Sequence, residues 1–220
     1  MIRLVKCGFA ALMLVVGSQA SAAGIQILTG HDGGALAAGA LDSEWQISVQ
    51  GGPFVDAKVA YPIQICCGMG TIPGDGAWLT DPSVTSGSNA TGWGVNRIAK
   101  LRTTFDLSGY DHTTAVLNAL YRAADYTRGI YLNGTQILGT DTGSAFTFAA
   151  DRVLPIAGQT FVAGVNTLEF WAGSVNSQYD AFWFDGMVTA DRLVPAVPVP
   201  AAVWLLVGAL GSLQIARRKT

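Results

Sequence analysis

Histidine and cysteine are almost missing from this chain. Its 220 residues hold two histidines, His31 and His112, and three cysteines. No histidine pair has metal-ligand spacing, and no Gly-x-Ser-x-Gly elbow occurs. Gly68-x-Gly70 lacks the third glycine of a dinucleotide loop, and no βαβ unit surrounds it. Zinc-dependent hydrolysis, an elbow nucleophile and nucleotide-cofactor chemistry therefore find no support. Charge is scarce as well, at 13% of residues. Lys and Glu are rare, Asp far outnumbers Glu, and Gly and Thr are frequent. That profile belongs to turns and strands, not helices. A basic cluster is absent from the body of the chain. Residues 23–193 carry all 15 acidic side chains but only Lys58, Arg97, Lys100, Arg102, Arg122, Arg128, Arg152 and Arg192, so 8 − 15 = −7, against −2 for the whole chain. A net acidic body of this kind excludes binding nucleic acid through its phosphates. It suits a solvated domain that meets cations or sugars.

The ends differ from the body. Arg3 and Lys6 precede an apolar run, residues 7–17, that is too short to span a bilayer, and Ala20, Ser21, Ala22 and Ala23 follow it. This is the pattern of a Sec signal peptide, residues 1–22, cleaved after Ala22 or Ala23. Cys7 opens the apolar run instead of following it, so a lipoprotein is excluded. At the other end, Pro195, Pro198 and Pro200 hold an extended approach, and residues 201–216 are free of charge. Arg217, Arg218 and Lys219 close the chain. Sixteen helical residues rise roughly 24 Å, and snorkelling arginines close the gap to a bilayer core. The expectation is one transmembrane helix with its basic end cytoplasmic and the body outside. The order of Val197, Pro198, Val199, Pro200, Ala201, the apolar run, then Arg217 and Arg218 resembles the PEP-CTERM sorting signal of exported bacterial proteins, in its Val-Pro-x-Pro-Ala form. The resemblance implies residues 194–220 as a sorting signal cut by an exosortase. It also implies an inner-membrane precursor with a cell-surface or extracellular product.

Between these signals, short strands are predicted. Residues 44–49 and 55–61 read as strands, and residues 74–80 (GDGAWLT) as a turn leading into another. Leu101, Thr103, Phe105 and Leu107 alternate with Lys100, Arg102, Thr104 and Asp106, the period of a half-buried strand. Asn133-Gly134 between residues 130–132 and 135–138 predicts a hairpin with a type I′ turn. Further strands are expected at residues 146–148, 167–171 and 182–188. Residues 112–126 carry helical spacing in Leu117, Leu120, Tyr121 and Ala124. Yet the order FDLSGYD (105–111), a Leu–Ala-Ala-Asp run, Leu132-Asn133-Gly134, then FVAGVNTLEF (161–170) resembles galactose-binding-like jelly-roll domains. That resemblance implies a strand at residues 115–124, with Leu117, Ala119 and Tyr121 inward. The expected fold is an all-β, jelly-roll-like antiparallel β-sandwich over residues 23–193.

Aromatic side chains are the best ligand candidates, because sugar rings stack on exposed Trp or Tyr while Asp, Asn and Arg bind hydroxyls. Trp93 sits in a Gly/Ser/Asn-rich loop, and Tyr126, Arg128, Tyr179 and Asp180 fall in predicted loops. Trp45, Trp78 and Phe184 are assigned to the core, while Trp171 and Trp183 fit either place. Calcium held by Asp side chains and carbonyls is compatible with the fold, though no EF-type loop identifies ligands. Cys66 and Cys67 are adjacent. They are too few for a zinc site. A bond between neighbours closes a strained ring, so a Cys66–Cys67 disulfide, two packed thiols and an intermolecular bridge all stay open. No carboxylate pair is placed together by the sequence. The expectation is therefore a non-enzymatic protein binding carbohydrate or exopolysaccharide, with a glycan hydrolase or a purely structural matrix protein as alternatives.

Overall fold

In the computed structural model the described residues are 22–61, 72, 74–84, 97–140, 151–175 and 180–193. Those within Ala20–Arg192 form one unit. The described residues form eleven strands: β1 (Ala22–Leu28), β2 (Leu41–Val49), β3 (Val55–Val59), β4 (Leu79–Thr80), β5 (Ile98–Asp106), β6 (Tyr110–Ala124), β7 (Tyr126–Leu132), β8 (Thr135–Leu138), β9 (Arg152–Val153), β10 (Val165–Gly173) and β11 (Ala181–Arg192). No helix appears among the described residues. The signal peptide, the sorting tail with its apolar run 201–216, the strand expected at 146–148, Cys66 and Cys67 all lie outside them.

Every strand pairing is antiparallel, and the order is β8-β7-β10-β5-β2-β3-β4-β11-β6-β9, with β1 added to β11. The sheet curls through β3 and β4, so β2, β5, β10 and β7 lie over β11 and β6. Aromatic contacts across that gap define the core. Trp45 on β2 meets Phe182 and Phe184 on β11 at 5.2 and 5.7 Å between ring centroids. Phe170 on β10 meets Phe182 at 4.3 Å and Tyr121 on β6 at 5.4 Å. This sandwich is the all-β, jelly-roll-like architecture expected from the sequence.

Alternation explains why these segments are strands. On β5 the inward set Leu101, Thr103 and Phe105 is buried, and Leu107 just beyond it is buried too. On β6 the helical spacing loses. Leu117, Ala119 and Tyr121 point into the core, as the family resemblance implied, because eleven register pairs with β11 bury more apolar surface than an isolated helix could. The hairpin β7–β8 turns on Asn133 and Gly134 at φ 51° and 77°, both left-handed as a type I′ turn requires. Asn133 also ties this turn to β10. Its Nδ2 donates to Asn166 Oδ1 at 2.8 Å, and its Oδ1 accepts from Thr167 N at 2.9 Å. Asn166 is fully buried and reaches Val162 N, Val162 O and Gly164 O, each at 2.9 Å. Trp183 packs in a smaller buried cluster with Trp78, Ala60, Ala124 and Ala181, its ring 5.6 Å from the Arg122 guanidinium carbon. Arg122 in turn bridges to Asp151 at 2.6 Å.

Candidate functional site

Strand pairing assembles a polar and aromatic row on the outward face of the β2–β5–β10–β7–β8 half. Reading across the strands, Gln136 lies opposite Tyr131, Tyr131 opposite Glu169, Glu169 opposite Arg102, Arg102 opposite Gln46, and Gln46 opposite Asp56. Six strands at about 4.8 Å spacing make this row roughly 24 Å long. One step along the strands, Trp171 lies opposite Gly129 on one side and Lys100 on the other. The alternation that buries Phe170 and Ala172 turns Glu169 and Trp171 outward, and Gly173 lies beneath the Tyr126 ring.

Three aromatic rings line up along β10. Tyr131 and Trp171 pack at 4.4 Å between centroids with 37° between their planes. Trp171 Nε1 donates to Glu169 Oε2 at 3.0 Å, and the Lys100 ammonium sits 4.0 Å from the Trp171 ring centroid. The carboxylate fixes the indole's rotation, while the flexible lysine covers a face it can vacate at a cost of about 1 kcal/mol. Glycines make room for the two tyrosines. A Cβ on Gly129 would stand 3.0 Å from Tyr131 Cε2, and one on Gly173 would overlap the Tyr126 ring. Tyr126, Trp171 and Tyr131 thus occupy a strip whose strand positions step two residues at a time, spanning roughly 13 Å. All three are half-buried, with polar neighbours on both flanks. On the far side Arg102 stacks over Phe54 at 3.8 Å and donates to Gln46 Oε1 at 2.6 Å.

The residues singled out in the sequence fare differently. Tyr126 belongs to the aromatic strip. Tyr126 and Arg128 were expected in a loop, but both lie within β7, because pairing with β10 extends that strand four residues before Ile130. Arg128 is exposed at the register shift opposite Trp171/Ala172, and its carbonyl accepts from Thr140 Oγ1 at 3.3 Å. Asp180 was expected in a loop as a ligand candidate; it immediately precedes β11 and is fully buried, its carbonyl accepting from Thr80 Oγ1 at 2.9 Å. Trp93 and Tyr179 lie outside the described residues. Sequence reasoning missed Tyr131, Glu169 and Lys100 and left Trp171 open. The available signal was the paired alternation of residues 98–106 and 165–173, which places Lys100 and Trp171 on like faces. Among the described residues no group of three His, Cys, Asp or Glu could hold a metal ion. The carboxylates of the row, Glu169 and Asp56, are three strands apart, roughly 14 Å. Glycoside hydrolysis needs its two carboxyls about 5–9.5 Å apart, so this pair does not meet that geometry.

No family model matches the chain. No curated protein matches it either. One similar solved structure is the catalytic unit of a thermostable GH87 alpha-1,3-glucanase from Streptomyces thermodiastaticus strain HF3-3, at 18% identity and a TM-score of 0.22. The similarity covers 55% of this chain and 24% of the glucanase chain, so this protein spans about a quarter of that structure's length.

Proposed function

We propose that this protein is a non-enzymatic carbohydrate-binding protein of the cell surface or extracellular matrix, and that the Tyr126–Trp171–Tyr131 strip is its binding face. The observation that carries this reading is the half-exposed Trp171–Tyr131 pair, held in place by Glu169 and flanked by Lys100, Arg102, Gln46 and Gln136. Sugars present apolar C–H faces and a rim of hydroxyls, and they need this combination of fixed rings with donors and acceptors beside them. A ring already locked by a hydrogen bond loses little entropy on binding. Export through a signal peptide, anchoring by residues 201–216 and cleavage by an exosortase at Val197–Ala201 complete the proposal, and they rest on the resemblance of the two termini.

Glycan-array binding by the wild type, Trp171→Ala and Tyr131→Ala, with and without calcium, tests the reading. Each substitution is expected to weaken binding about tenfold and to leave the melting temperature within a few degrees. An undiminished glycan signal in both variants would remove the strip as the site.

A further inference from the structure

We propose that β1 is a dimerisation edge, on which a second copy of this chain adds its own β1 in antiparallel register. The argument begins with which backbone groups β1 leaves free. Thr29 N donates to Phe184 O at 3.0 Å, so odd-numbered residues of this segment turn their amides and carbonyls toward β11. Even-numbered residues turn theirs away. Leu28 O confirms the alternation, since it accepts from Trp45 Nε1 at 3.2 Å on the side opposite β11. Gly24 and Gln26 therefore present an N–H and a C=O each to an edge on which, among the described residues, no strand is paired, and both residues are exposed. The same opening borders a second unpaired edge. Gln50 N donates to Ile98 O at 3.1 Å, which turns the even residues of β5 toward β2, yet β2 stops pairing at Arg102 and leaves Thr104 beyond it. A cleft of about 340 Å³ lies between them, lined by Ile25, Gln26, Ser43, Glu44 and Thr104 among others.

Edges of this kind are normally blunted by charge, proline, a bulge or short length. The other outer strands follow that rule. β8 has four residues and a register shift, and β9 has two residues including Arg152. In the full chain β1 has seven residues, no charged side chain, no proline and an unbroken register with β11. Its sequence is also self-complementary. Two copies centred on Ile25 place Gly24 opposite Gln26 of the second copy and the reverse, closing four backbone hydrogen bonds from the groups that are free. The half-buried Ile25 side chains then meet on the core side of the joint, and no like charges face each other within the strand. Gly24 and Gln26 lie beyond both expected signal-cleavage points, and cleavage after Ala22 leaves both of their edge N–H groups as amides. The joint is small, which makes the dimer weak and reversible.

Sedimentation velocity on protein purified from cells expressing the full chain, from low to high micromolar, reads the equilibrium directly. Gln26→Pro removes one free-edge donor without touching a β11 bond, and the loss is counted twice in a two-fold dimer. At roughly tenfold per bond, association should weaken about a hundredfold. Gln26→Lys, which keeps the backbone, should also dissociate the dimer by placing charge at the joint. Hydrogen exchange at the Gly24 and Gln26 amides should slow with protein concentration in the wild type. A wild type that stays monomeric throughout, or a dimer that survives Gln26→Lys with concentration-independent exchange at those amides, would overturn the proposal. A monomeric wild type that still binds glycans would leave the reading of the Trp171 strip standing.

Discussion

Stability should rise as the pH falls from 7 to 5, and Asp42 should account for most of the rise. Its carboxyl is fully buried, and both oxygens accept backbone hydrogen bonds, from Gly30 N at 2.7 Å, Glu44 N at 3.0 Å and Trp45 N at 3.2 Å. Desolvation nevertheless outweighs those donors and pushes the group up to about 6 from 3.8. The folded state then holds the proton more tightly than the unfolded chain does. Its contribution is full below about 3.8 and is lost as the pH rises through about 6. The whole shift corresponds to about 3 kcal/mol, of which ~1.4 kcal/mol is recovered on going from pH 7 to 5. For a domain of this size that raises the melting temperature by roughly 3–6 °C. Burial raises Glu44 and Asp185 as well, so they tilt the curve in the same direction. Asp106 and Asp111, held low by the Ser108 and Thr113 hydroxyls, lose their stabilisation only in stronger acid. Asp42→Asn isolates the effect. Its amide cannot accept on both sides, so about 1–3 kcal/mol is lost at every pH, while the Asp42 slope vanishes. Urea unfolding of both proteins at pH 5, 6, 7 and 8 gives the difference curve. Parallel curves for the two proteins would refute the reasoning.

Asn166→Ala should cost about 2–4 kcal/mol in urea unfolding, since it strips partners from Val162 N, Val162 O and Gly164 O in a buried site. Amide exchange at Thr167 should quicken with it, because Asn133 loses the contact that steadies its own side chain. Gly173→Ala should cost about 1–3 kcal/mol by driving Cβ into the Tyr126 ring, and Tyr126→Ala in the same chain should recover much of that loss. Additive penalties in the double variant would show that the two positions do not share space. Intact mass of the extracellular protein from a host with exosortase should show residues 217–219 removed. A full-length extracellular form would count against the sorting proposal.

The strands that could be read from the sequence are those whose two faces differ in chemistry. Leu101, Thr103 and Phe105 against Lys100, Arg102 and Thr104 is a local pattern, and so is Asn133-Gly134, whose left-handed dihedrals are a property of two residues. β6 was harder, because Leu117, Leu120, Tyr121 and Ala124 satisfy a helical period as well. Only the family resemblance pointed to the strand that β11 then pairs. β1 was hidden by composition. Ala22, Ala23 and Gly24 belong equally to the small-residue stretch expected at a signal-peptide cleavage site, and Ile25, Ile27 and Leu28 alone are too few to show a period. The aromatic strip was hidden for a different reason. Tyr126 and Tyr131 lie some 40 residues from Trp171, and nothing local says which strand opposes which. Register decides it, and a shift of one residue in β10 would turn Trp171 into the core and Phe170 out. The register is fixed by what lies beneath the strip. Phe170 must meet Tyr121 and Phe182, and once it does, Trp171 has to emerge between Gly129 and Lys100. Gly129 and Gly173 are the trace of that arrangement in the sequence. Each breaks a strand that would otherwise favour a branched or aromatic residue, and each does so where a tyrosine ring lies across the backbone.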